Sequence, residues 1–235
     1  MKNSKLLWLA SIVFAFIAQS CSNDPSATGS LSLSLKSTGS TTINTGGRVT
    51  GTVEITDFKI SIRDVSFKNE DDDNPHFDTV EVKFRGPFQL DLLKGGDALT
   101  ETIGNAVIPN GNYKEIRFKF HKDEDLSPAD KLFDRSIFLA GTIDGVPFEM
   151  WHDTSENLDV GRTTGVIVQD NVVSLTVAFS IDQFLSSLHT IDLTSAVDGN
   201  QDGLIEINTN DPDGNKEIAD LLKDNIKEAA DLMDF

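Results

Sequence analysis

From residue 29 to residue 181 apolar side chains recur at every second position, and that period fixes the class of fold. In an extended chain successive side chains point to opposite faces, so this alternation builds strands with one apolar face. Leu31, Leu33 and Leu35 alternate with serine and lysine. Val53 and Ile55 hold one phase and Phe58, Ile60 and Ile62 the other, which predicts a β-bulge or bend near Asp57. Val80, Val82 and Phe84 follow, then Phe88, Leu90 and Leu92, then Ile116, Phe118 and Phe120. Ile137, Leu139 and Ile143 run into Asp144-Gly145, with Val146, Phe148 and Met150 beyond it. Asp-Gly between two alternating runs marks a hairpin. Val173, Leu175, Val177, Phe179 and Ile181 make the cleanest strand.

About eight to ten short strands, each apolar on one face, need a second sheet to cover that face. The expectation is a mainly β chain: a two-layer antiparallel β-sandwich over residues 29–190, with a closed barrel as the other solution. No strand alternates with a long helix, which argues against a doubly wound α/β fold. Ser37 to Gly47, rich in Ser, Thr and Gly, reads as a loop, and the acidic runs Asn69 to Asn74 and Lys122 to Asp125 read as solvated loop tips. Residues 191–235 change character. Ile218, Leu221, Leu222, Ile226, Ala229, Leu232 and Met233 fall at helical spacing, which predicts a C-terminal amphipathic helix packed on the sandwich. Asp213 or Asn215 is the expected N-cap. A hydrophobic fraction of 38% is enough for such a core.

The first residues carry an address. Lys2 and Lys5 precede an unbroken apolar and small-residue run, Leu6 to Ala18, too short for a bilayer span of roughly 20 residues but suited to the apolar region of a signal peptide. Residues 1–20 are therefore read as a signal peptide. Cys21, the single cysteine of the chain, stands at the cleavage point and excludes an internal disulfide. The segment Ala18-Gln19-Ser20-Cys21 resembles the lipobox of bacterial lipoproteins, although Leu is the family's preference where Ala18 stands. That resemblance implies lipidation of Cys21, with residues 21–28 as a tether that spans at most about 25 Å beyond the cysteine. It makes the membrane a partner through that lipid and places the chain in the cell envelope, at the outer membrane. A net charge of -18 repels phosphate backbones, so nucleic acid is not an expected partner.

One constellation carries chemistry. Asp198-Gly-Asn200-Gln-Asp202-Gly203-Leu204-Ile205-Glu206 places oxygen-bearing residues at alternate positions of a tight loop, with glycine at the sixth position for the turn. Asp198, Asn200 and Asp202 would give side-chain oxygens to a Ca2+ ion, Leu204 its carbonyl, and Glu206 a ninth-position carboxylate. Ile205 would point into the core. The pattern resembles the opening of an EF-hand loop, but Thr209 stands where that family has its bidentate glutamate. It is closer to the solitary loops of dockerin-type modules in exported proteins. Asp211, Asp213 or Asp220 could supply a further ligand, and the plain alternative is a polar turn.

Catalytic patterns are missing. His76, His121, His152 and His189 are scattered, with no zinc spacing, nucleophile elbow or phosphate-cradling loop. Trp151-His152-Asp153 reads as structural. The strand Gly29 to Lys36, the segment Ile108 to Arg117 and the hairpin Gly141 to Phe148 resemble uncharacterised surface lipoproteins of Bacteroidetes type, which implies a sandwich of unknown function. The functional expectation is a non-enzymatic, calcium-stabilised envelope module with an unknown protein or glycan partner. A glycan-binding accessory lipoprotein of nutrient uptake, an adhesin or fimbrial subunit, and a hydrolase are the alternatives.

Overall fold

The computed structural model describes residues 27–45, 51–69, 82–186 and 190–232. Cys21, Val80, most of the acidic run at 69–74, His76, His189 and Met233 lie outside them. Two sheets pack face to face over one core, as the alternation predicts.

The smaller sheet holds, in spatial order, β13 (Ala230–Leu232), β11 (Val172–Ser180), β1 (Thr28–Thr38) and β6 (Thr100–Pro109). Leu31, Leu33 and Leu35 of β1 are fully buried between half-exposed serines and lysine. The larger sheet runs β10 (Asn157–Val168), β7 (Gly111–Phe120), β3 (Gly51–Asn69), β8 (Ile137–Ile143), β9 (Val146–His152) and β12 (Ile205–Asn208). β2 (Thr42–Thr45) and β4 (Val82–Lys94) also pair with β3, and β5 (Asp97–Ala98) pairs with β4.

β3 shifts register against β8 between Ile55 and Asp57 and against β4 between Phe58 and Lys59, where the sequence reverses phase at Asp57, and against β4 again at Ile62/Asp64 and Val65/Ser66. Asp144 and Gly145 close the β8–β9 hairpin with φ of 51° and 81°, the left-handed pair that a two-residue turn requires. Gly141 faces the same irregularity in β3. A Cβ there would lie 1.8 Å from the Glu54 carbonyl oxygen, so the two backbones approach as closely as they do only because the side chain is absent.

Three expectations need correction. The sheets are not wholly antiparallel: β1 pairs parallel with β11, and β12 parallel with β9. The stretch after Thr38 is not all loop, because β2 lies on β3. The C-terminal helix is shorter than its apolar spacing implies. A short helix, α1 (Ile181–Ser186), follows β11, and the final helix, α2 (Lys216–Asn225), stops well before Leu232. The chain turns, the Ala229 carbonyl accepts from Ser180 N–H at 2.7 Å, and β13 pairs with the free edge of β11. Covering that edge satisfies backbone groups that a longer helix would leave open.

Aromatic packing marks the centre of the core. Phe58 of β3 stacks on Phe184 of α1, centroids 5.7 Å apart, and meets Phe179 of β11 edge-on at 6.1 Å. It therefore joins both sheets and the short helix. Phe58→Ala should lower unfolding free energy by about 3–5 kcal/mol, measured by urea denaturation followed by far-UV circular dichroism.

Candidate functional site

The loop from Asp198 to Glu206 joins a 3-10 turn at Leu193–Ser195 to β12, at the edge of the larger sheet. Its fold is built from its own side chains. The Asp198 carboxylate accepts N–H groups from Asp202 at 3.1 Å and Gly203 at 2.9 Å. Asn200 Oδ1 accepts from Asp202 N–H at 3.0 Å, and Asp202 Oδ1 from Leu204 N–H at 2.9 Å. Gln201 and Gly203 take φ of 64° and 90°, which lets the chain reverse. Ile205, the first residue of β12, is buried, as the sequence implies, and anchors the loop to the core.

Two residues outside the motif hold it in place. Asp213, 5% exposed, accepts from Asn200 N–H at 3.1 Å and from Glu206 N–H at 2.7 Å, so it lies inside the loop as its second wall. Asn215 accepts from Val197 N–H at 3.0 Å and donates to the carbonyls of Val197 and Glu206. It occupies the N-cap position of α2 without making the side-chain cap bond. That bond comes from Asp211, whose Oδ1 accepts from Lys216 N–H at 2.8 Å. The expected cap thus serves the loop, and a neighbour caps the helix.

The site is strongly negative. Burial, then the carboxylates of Asp213, Asp202 and Glu149, push the Glu206 carboxyl above its ordinary range, while Arg135 pulls it the other way. The donor set is hard oxygen, which suits calcium. Asp198, Asn200, Asp202 and the Leu204 carbonyl retain lone pairs beyond the amides they accept. Among the described residues, however, no three His, Cys, Asp or Glu side chains come together as a metal cluster. Any ion here would depend on the amide and carbonyl oxygens as much as on the acids.

Two hollows lie elsewhere. One of about 240 Å³, chiefly apolar, is lined by Ile43, Val53, Leu185, Ile191 and Leu193, with Asp182 at its edge. The other, about 380 Å³ and polar, is lined by His121, Lys122, Asp123, Glu124, Asp125 and Asp153. Within the acidic run Glu124 and Asp125 are exposed, as its composition implies, but Asp123 is not. Asp123 is 3% exposed, accepts from Asp125 N–H at 3.0 Å, and takes a further hydrogen bond from Gln89 Nε2. Trp151 packs in a small second cluster with Leu132 and Phe138, under the Arg135 guanidinium at 4.8 Å, in keeping with a structural role.

A protein-family model described as a domain of unknown function (DUF4382) matches residues 52–215. No curated protein and no solved structure matches the chain.

His152 shows how α2 is held beside the loop. Its ring is buried, with Nδ1 3.6 Å from Asp153 Oδ1 and Nε2 3.6 Å from Asp220 Oδ1 of α2. Burial lowers its pKa, and the two carboxylates only partly oppose that. The folded state therefore holds a neutral imidazole where the unfolded chain takes a proton. Its contribution is intact above about pH 6.5 and is lost as pH falls from there toward the lowered folded value. Stability should decline over that window, and His152→Gln should flatten the decline, measured by urea midpoints between pH 5 and pH 8.

Proposed function

We propose that this chain, which belongs to the DUF4382 family, is a non-enzymatic lipoprotein of the cell envelope. In this reading Cys21 carries the lipid, the sandwich is the binding or supporting body, and the loop at residues 198–206 takes a structural calcium ion. The observation that carries the calcium reading is the folded loop itself. Its acids and amides are already turned inward, and Asp213 and Asn215 clamp it between β12 and α2. A bound divalent cation would offset the repulsion that Asp213 and Asp202 exert on the Glu206 carboxylate.

The surface favours this reading over a glycan-binding one. Sugar faces display amphipathic aromatic rings, but among the described residues every Phe, Tyr and Trp is buried or half-buried. The protein partner is one that tolerates an acidic surface, given the net charge of -18.

The test is a thermal melt of residues 22–235 in 5 mM calcium and in chelator. With a dissociation constant of roughly 10⁻⁴–10⁻³ M, calcium should add about 1–2 kcal/mol and raise the midpoint by a few degrees. The double variant Asp198→Ala, Asp202→Ala should melt identically in both. Coincident melts of the unsubstituted chain would remove the ion from the account.

A further inference from the structure

Where β12 meets β9, the outer face of the larger sheet places two carboxylates side by side. Ile205 and Ile207 of β12 pair with Phe148 and Met150 of β9, and all four are buried in the core. Side chains alternate along a strand, so Glu206 and Asn208 on β12, and Glu149 and Trp151 on β9, stand on the opposite face. Glu206 pairs in register with Glu149. Neighbouring strands run about 4.8 Å apart, and like charges directly opposite each other destabilise a sheet. Glu206 also belongs to the loop at 198–206, because its N–H donates to Asp213 at 2.7 Å.

The segment between β7 and β8 brings two cations to this face. Lys131 Nζ lies 2.5 Å from Glu149 Oε1, so Lys131 serves the sheet-side carboxylate. Arg135 donates to the Lys131 carbonyl at 3.4 Å, and its guanidinium lies 4.8 Å from the Trp151 ring centroid. Trp151 and Glu149 are neighbours on that face, roughly 7 Å apart along β9, so a guanidinium stacked on Trp151 stands within side-chain reach of Glu206. The electrostatics agree with the geometry. Burial lowers the Arg135 pKa, while Glu149, Glu206 and Asp134 raise it. Three carboxylates repel the charge on Glu206, and Arg135 is the cation that acts against them.

A carboxylate held by an arginine is less available to a metal ion, since each satisfies the same negative charge. We propose that Arg135 is the internal counter-charge of Glu206 and sets how tightly the loop at 198–206 takes a divalent cation, because ion and guanidinium compete for that one carboxylate. The proposal rests on the calcium reading of the loop. Arg135 gives the ion no ligand of its own. It is a positioning residue that acts through Glu206, and an ion that takes Glu206 leaves the guanidinium to Glu149 and the Trp151 ring.

Calcium affinity is measured by isothermal titration calorimetry on residues 22–235 at low salt. Arg135→Gln should bind calcium about three- to five-fold more tightly, the scale of one partly exposed charge pair. Arg135→Lys keeps the charge and should stay within about two-fold of the unsubstituted chain. In a Glu206→Gln background the same Arg135→Gln change should shrink to less than about two-fold, as expected of residues that act as one pair. Trp151 is the only tryptophan in residues 22–235 and stacks under the guanidinium. Its emission should therefore change as calcium is added to the unsubstituted chain and stay flat in Arg135→Gln. Equal or weaker binding by Arg135→Gln, a gain undiminished in the Glu206→Gln background, or flat Trp151 emission while calcium binds would each overturn the role of Arg135 alone. Absence of calcium binding by the unsubstituted chain and by Arg135→Gln alike would overturn the calcium reading, and this inference with it.

Discussion

The molecule is organised by one strand that must serve four partners. β3, 19 residues long, pairs with β2 and β4 along one side and with β8 and β7 along the other. A strand of that length cannot stay flat, because right-handed twist accumulates along it. The irregularity at residues 55–59 absorbs the twist by turning the strand in its middle. Ile55 and Phe58 are both buried although they sit at odd and even positions, which only the extra residue permits. Gly141 is the matching concession in β8, where the bent backbone leaves no room for a Cβ. Phe58 then emerges at the point where both sheets and α1 converge.

The last part of the chain closes what the long strand leaves open. β12 extends the larger sheet and β13 covers an edge of the smaller one, so residues after 190 contribute to both layers. Between these two strands lie Asp213, Asn215 and α2, and the loop at 198–206 is shaped by them as much as by its own residues. The helix is held from below by Asn225 Nδ2, which donates to the Phe184 carbonyl at 3.0 Å, and at its flank by Lys223 on Glu156. Loop, helix and terminal strand thus form one unit.

Much of this was legible in the sequence because it depends on local rules. Alternation gave the strands, a phase reversal located the bulge near Asp57, and Asp-Gly located the hairpin, each from residues close together in the chain. Long-range pairing was not legible. Nothing in Leu31 or Leu175 says that β1 and β11 run parallel, since alternation has no direction. Helical spacing over residues 218–233 misled because its end is set by a distant open edge on β11, not by a local stop signal. At the loop, the motif residues were visible and Asp213 was only one of three candidate acids. Its place was decided by the turn at Asp211, with φ of 58°, and Gly214, with φ of 82°, which folds it back. Asp123 was misread for a similar reason: composition marks a charge run as solvated, but its Gln89 partner is 34 residues away.

The arrangement also determines how far an event at the loop can travel. Coupling between sites needs a contiguous set of contacts with two arrangements. The loop touches the sandwich through β12, whose four residues lie on β9, and through α2, whose contacts reach β9 and α1. The start of β1, the end of β6 and the start of β11 build the opposite end. The loop's hydrogen bonds through Asp213 and Asn215 hold β12 and α2 in register with the sheet edge. The Phe58 cluster reaches α1 and so lies one element away from α2. A well-packed core of that kind transmits little unless it has a second packing to move into. The surface that the loop shapes is therefore the β12–α2 side of the sandwich.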